Sequence, residues 1–177
     1  MPSFNAFRVH ADALQPGDHV PASTAFFDGL DPKKQAVEKA FDDVKPSEKP
    51  SRRATIYLFE QETDAHQWCI RHATRRLYVV EVEPAAVQHR GDWNWLGKAL
   101  RYATDPAAIQ ACAESYWRGE PCDVGTPVWE LLVSDAIVLR EILIPQEEYD
   151  AANQEKDAVL DDIAADFQGR LRGSLGI

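Results

Sequence analysis

Two apolar runs constrain this chain more than any other part of it: Val128-Trp129-Glu130-Leu131-Leu132-Val133 and, close behind, Ala136-Ile137-Val138-Leu139-Arg140-Glu141-Ile142-Leu143-Ile144. Each has a strand's length and composition, and together they predict a buried hairpin. The first strand opens with a lone carboxylate. A Glu followed at once by Leu-Leu-Val is pinned at the mouth of an apolar layer, where its charge faces a cleft or, more plainly, the solvent at a strand end.

The chain has 177 residues and reads as one domain with at most an appendage. Its 45% hydrophobic content suffices for a sizeable core. A net charge of −10 disfavours a large nucleic-acid footprint, which needs a basic face to release counterions. The basic clusters are local: Arg52-Arg53 and Arg71, Arg75-Arg76. Cys69, Cys112 and Cys122 are far apart and odd in number, without CxxC or Cys/His spacing, so neither structural disulfides nor a metal site is expected and a reducing cytoplasm is the default. The first eight residues lack the basic-then-apolar order of a signal peptide, and no apolar stretch reaches the length of a membrane span.

Along the chain, Phe4 to Val9 predicts a first strand, and Leu14-Gln15-Pro16-Gly17-Asp18 a turn. Pro32 to Val44 has helical spacing, with Val37, Ala40, Phe41 and Val44 on one stripe. Two prolines keep residues 45–51 a loop. Ala54 to Phe59 is β-branched and aromatic, a strand. Thr63 is expected to cap a helix that turns Ala65, Trp68, Cys69 and His72 inward. Leu77 to Glu83 predicts another strand, ended by Pro84. Asp92 is placed to cap a helix through Tyr102, and Asp105-Pro106 to open one that runs to about Trp117 and stops at Gly119. Pro145 ends the last strand and begins a long charged helix with Val159, Leu160, Ile163, Phe167 and Leu171 on its apolar stripe. Strands and helices mix without regular alternation, which predicts an α+β fold with a largely antiparallel sheet.

Several pieces taken in order resemble the ADP-ribosyltransferase superfamily, and more closely an uncharacterised bacterial family thought to share its fold. They are Phe7-Arg8-Val9, Leu14 to Asp18, Pro50 to Phe59, Ala65-His66-Gln67-Trp68, Leu77 to Val82, Asp92 to Leu96, Tyr116-Trp117-Arg118-Gly119 and Trp129-Glu130-Leu131-Leu132. The resemblance implies an ADP-ribosyltransferase-like domain over residues 1–145 and a mostly antiparallel split sheet with flanking helices; the C-terminal amphipathic helix, appended over 146–177, lies outside it. It also implies NAD as substrate. The superfamily signature of Arg or His, then Ser, Thr or Tyr, then Glu falls on Arg8 or His10, on Thr55 or Tyr57, and on Glu130. By that resemblance Arg8 holds the adenosine side of NAD, the middle residue shapes the nicotinamide pocket, and Glu130 bonds the nicotinamide ribose and steadies an oxocarbenium-like transition state. A fixed carboxylate suits that charge, and an arginine fork suits phosphate or ribose oxygens. Tyr57 or Trp129 could stack on nicotinamide, and Arg53, like Arg52, could meet pyrophosphate. Val128 stands where many arginine-modifying relatives carry an acid or Gln, which argues against arginine as acceptor.

Plainer readings stand beside these. Arg8 could be a surface residue on an edge strand, Thr55 or Tyr57 a core residue, and Arg52 and Arg53 solvated loop residues. Asp92-Trp93-Asn94-Trp95 suggests a lid over a ring, although anchoring of a helix is the commoner use. Three functions follow: a cytoplasmic transferase acting on a protein or small molecule rather than nucleic acid, an inactive binding or regulatory module of the same fold, and an interaction protein that forms a homodimer through its C-terminal helix.

Overall fold

Apolar alternation or β-branched content marks every strand but β4: β1 spans Phe4–His10, β2 Ile56–Phe59, β3 Arg76–Val82, β4 Val87–Asp92, β5 Trp129–Val133 and β6 Ile137–Ile142. The computed structural model of the protein describes residues 2–22, 28–72, 75–102 and 104–154. Aspartates open two of the helices. Asp31 accepts from the Lys34 N–H ahead of α1 (Pro32–Asp43), and Asp105 accepts from the Ala107 and Ala108 N–H groups ahead of α4 (Pro106–Trp117). Between them lie α2 (Glu62–Arg71) and α3 (Asn94–Arg101). Gly119 takes a φ of +69°, and its N–H closes α4 on the Tyr116 carbonyl.

All strand pairs are antiparallel, in the order β4-β5-β2-β1-β3-β6. The α+β class and the antiparallel sheet agree with the sequence reading, but the hairpin does not. β5 pairs with β4 and β2, and β6 with β3, so the two runs that are neighbours in sequence lie in different halves of the sheet. Only residues 134–136 join them. Such a link reaches roughly 14 Å, whereas four strand spacings in a flat sheet cover roughly 19 Å. The sheet must therefore curl until its halves face each other, an extreme of the ordinary twist.

The core follows from that curl. Ile56, Leu58, Leu131 and Val133 from one half meet Ala6, Tyr78, Val80, Val82 and Val138 from the other. On the outer side of the first half, α1, α3 and α4 bury Phe41, Leu96, Ala113, Tyr116 and Trp117 against Leu132. α2 covers the outer side of the second half, with Ala65 and Cys69 on Leu77, Phe7 and Val9.

Two expected caps are corrected. Thr63 lies inside α2, whose N-cap is Gln61 without a side-chain bond; Glu62 and Asp64 instead put negative charge beside the unpaired N–H groups of the first turn. Asp92 ends β4, a strand the sequence reading did not include. Its fully buried carboxylate accepts from the Asn94, Val128 and Cys122 N–H groups and so fixes the loop that leads into β5. His72, expected to face inward, is exposed and stacks on Trp68 with ring centroids 4.3 Å apart. Among the described residues no helix is long and apolar enough to cross a membrane. Residues 146–154 are helical. The expected stripe of Val159, Leu160, Ile163, Phe167 and Leu171, with the dimer surface it would offer, lies outside the described residues.

Candidate functional site

β1 and β2 share one registered pair, Phe7 with Phe59, and then part. The gap between them, walled by α1 and α3 on one side and α2 on the other, opens a cavity of about 670 Å³. That lies within the usual range of roughly 300–1,000 Å³ for small-molecule and cofactor sites. Arg8, His10, Tyr57 and Glu130 all line it, brought together from β1, β2 and β5.

Arg8 is buried, and its Nη1 donates to the Tyr57 carbonyl oxygen at 2.8 Å where the strands diverge. Burial lowers its pKa to about 10, with Arg75 adding and Tyr57 opposing, so the guanidinium stays charged at neutral pH. His10 sits beside it and accepts from the Asp12 N–H. Burial, and next the Arg8 charge, hold its pKa below the usual histidine value.

Glu130 is not a lone carboxylate. It is 4% exposed, and its Oε1 accepts from Arg52 Nη1 at 2.5 Å. Arg52 in turn donates from Nε to Glu38 Oε2 at 2.9 Å and from Nη1 to the Tyr116 hydroxyl. Its guanidinium lies 4.8 Å from the ring centroids of both Tyr57 and Tyr116. The backbone of Arg52 is held as firmly. Its N–H donates to Asp42 Oδ1, and its carbonyl accepts from the hydroxyls of Thr55 and Tyr57. Burial opposes the Arg52 charge, but Glu130 and Glu38 outweigh it and hold its pKa well above the usual guanidinium value. Burial pushes the Glu38 carboxyl up, against the pull of Arg52. It also pushes the Tyr57 and Tyr116 hydroxyls up, which keeps both phenols protonated.

The rest of the lining is divided. An aromatic wall is formed by Phe59, Trp68 and Trp93, with the two indoles edge to face at a 4.8 Å centroid distance. Arg71, Arg75 and Lys34 add cationic groups, while Val37, Leu96 and Leu100 are apolar. The Asp92-to-Trp95 stretch therefore splits between its two readings. Trp93 faces the cavity, whereas Trp95 is core, with its indole N–H donating to the Glu120 carbonyl at 2.8 Å.

Three of the sequence candidates lie elsewhere. Arg53 is exposed and pairs with Asp28 at 2.9 Å. Thr55 is 1% exposed and spends its hydroxyl on the Arg52 carbonyl, a core role that the plainer reading allowed. Trp129 lies under Arg90, whose guanidinium is 3.6 Å from its ring centroid, outside the cavity lining. Arg52, read as a loop residue next to Arg53, is instead a buried hub. Glu38 and Tyr116 were not among the candidates at all. The weak signal for Glu38 is its place beside Val37 on α1, an acid at the edge of an apolar stripe. Among the described residues no group of His, Cys, Asp and Glu is placed to hold a metal ion. Compared with protein-family models and with curated proteins, the chain matches none.

Proposed function

We propose that this protein transfers ADP-ribose from NAD to an acceptor, with Glu130 as the catalytic carboxylate and Arg8 as an anchor for the cofactor's anionic or ribose oxygens. The observation that carries this reading is that Arg8 and Glu130, 122 positions apart in sequence, line one cavity at the parting of β1 and β2. The cationic groups in the lining suit a pyrophosphate, and the aromatic wall of Trp68 and Trp93 suits a flat ring. Cleavage of the nicotinamide bond leaves positive charge on the ribose. A carboxylate already held in place by Arg52 meets that charge without reorganising. The net charge of −10 favours a protein or small-molecule acceptor over nucleic acid.

The test is release of nicotinamide from NAD by the purified full chain. Glu130→Gln is expected to cut turnover by about 10²–10³-fold, the usual cost of removing a preorganised electrostatic group. Absence of both NAD binding and nicotinamide release would sink the proposal.

One observation favours a second reading, a binding module without chemistry. The Glu130 carboxylate is already engaged by Arg52 and nearly closed from solvent. That reading expects NAD to bind the wild type and Glu130→Gln equally well, with no nicotinamide released by either.

A further inference from the structure

Arg52 presents two of its edges to two acids. Nη1 meets Glu130 Oε1 at 2.5 Å and Nε meets Glu38 Oε2 at 2.9 Å. All three side chains are buried, and all three line the cavity. Arg52 with Glu130 alone would be neutral and would offer little net field to a cation forming nearby. With both carboxylates ionised around the one guanidinium, Glu38 makes the cluster one charge negative. A purely structural pairing would need no such excess. One carboxylate suffices to compensate a buried guanidinium, and burying a second costs solvation that the shared guanidinium only partly offsets. Uncompensated negative charge held at a cavity wall is what stabilisation of a developing cation requires.

Building on the transferase reading, on which it rests, we propose that Glu38 is a positioning residue for the transfer step: by sharing Arg52 it leaves the cluster negative, so that Glu130 meets the ribose cation with its charge uncancelled. In that step the bond between the ribose C1 and the nicotinamide nitrogen breaks, and its electron pair leaves on the nicotinamide. A lone pair of the acceptor forms the new bond to C1, and the acceptor's proton passes to water. Neither carboxylate is consumed. The groups facing Glu38 are Arg52, Glu130 and Asp42, with the Tyr57 and Tyr116 phenols against the same guanidinium. Glu38 is carried on α1 between the core residues Val37 and Phe41, so the placement is rigid.

The experiment compares nicotinamide release from NAD by the full-length wild type, Glu38→Gln and Glu38→Asp, with folding checked by circular dichroism melts. Glu38→Gln keeps the shape and a hydrogen bond to Arg52 but loses the charge. It is expected to lower kcat by about tenfold or more with KM for NAD changed by less than about threefold, the pattern of an interaction made in the transition state. Glu38→Asp, which keeps the charge, is expected to recover most of that loss. If Glu38→Gln does not fold, Glu38→Met, similar in volume and uncharged, takes its place. A folded uncharged variant with kcat within about twofold of wild type overturns this inference while leaving the transferase reading intact. Absence of release by the wild type overturns both.

Discussion

Arg52 Nη1 and Glu130 Oε1 meet at 2.5 Å although their residues are 78 positions apart, and both side chains are almost wholly buried. The pair ties the loop before β2 to the start of β5, and through Glu38 it ties both to α1. Removing one member of such a pair leaves the other as an uncompensated charge in the interior. Arg52→Ala is therefore expected to lose about 3–5 kcal/mol of stability, because two carboxylates lose their common partner. Urea denaturation at neutral pH measures this, and a loss below about 1 kcal/mol would contradict the buried cluster.

Gly91 in β4 lies opposite Glu130 in β5 and under the Tyr116 ring. A Cβ at this position would stand 2.3 Å from Tyr116 Cε2 and 2.7 Å from Cζ, closer than any side chain tolerates. Tyr116 is fully buried and cannot swing away without disturbing Arg52. Gly91→Ala should destabilise by about 1–3 kcal/mol or more, as overpacked cores do. A thermal melt unchanged from wild type would show that the ring is not seated there.

Arg8 gives a prediction about binding. Its buried guanidinium stays charged at neutral pH and lines the cavity. A charge-assisted hydrogen bond to an anionic ligand contributes about 1.5–3 kcal/mol. Arg8→Gln should therefore weaken binding of ADP-ribose by about 10- to 100-fold in calorimetry. Arg53→Gln, at an exposed position outside the lining, should leave it within about twofold. Equal effects from the two substitutions would remove Arg8 from the site.

His89 gives a prediction in pH. Burial lowers its pKa to about 4, although its Nε2 bonds the Tyr116 carbonyl at 3.0 Å. The native state thus resists a proton that the unfolded chain accepts near pH 6.5. The contribution is fully present above pH 6.5 and is lost as pH falls from there towards 4. Discounted for the part of the ring's surroundings that remains close to solvent, the loss is roughly 1–2 kcal/mol. A proton NMR titration should find the His89 ring neutral at pH 5.5, and a midpoint above 6 would contradict the packing.

Much of this arrangement was legible in the chain, and the omissions have physical causes. β1, β2, β3, β5 and β6 announced themselves by apolar alternation or β-branched content, α1 by the helical spacing of Val37, Ala40, Phe41 and Val44, and α4 by its Asp-Pro opening. β4 did not, because its buried members His89, Gly91 and Asp92 are polar or lack a side chain, and hydrogen bonds rather than hydrophobicity hold them. The false hairpin came from adjacency in sequence. Nothing in Val128 to Ile144 reveals that β2 and β3 supply the better partners. Arg8, His10, Tyr57 and Glu130 were selected by resemblance and share a cavity. Arg52 was passed over because an arginine in a Pro- and Ser-bearing loop usually meets solvent. Its partners Glu38, Tyr116 and Glu130 stand 14, 64 and 78 positions away, a separation that no local pattern encodes.

The short link from Val133 to Ile137 has a mechanical consequence. A cleft formed between two lobes commonly admits its ligand by swinging the lobes apart on a flexible hinge. Here the lobes are the halves of one curled sheet, clasped by three residues at one end and by the Phe7–Phe59 pair at another. Such a frame cannot work like jaws. The cavity keeps a fixed frame, and what varies along its lining is the exposed Arg71 and His72 and the half-buried Trp93.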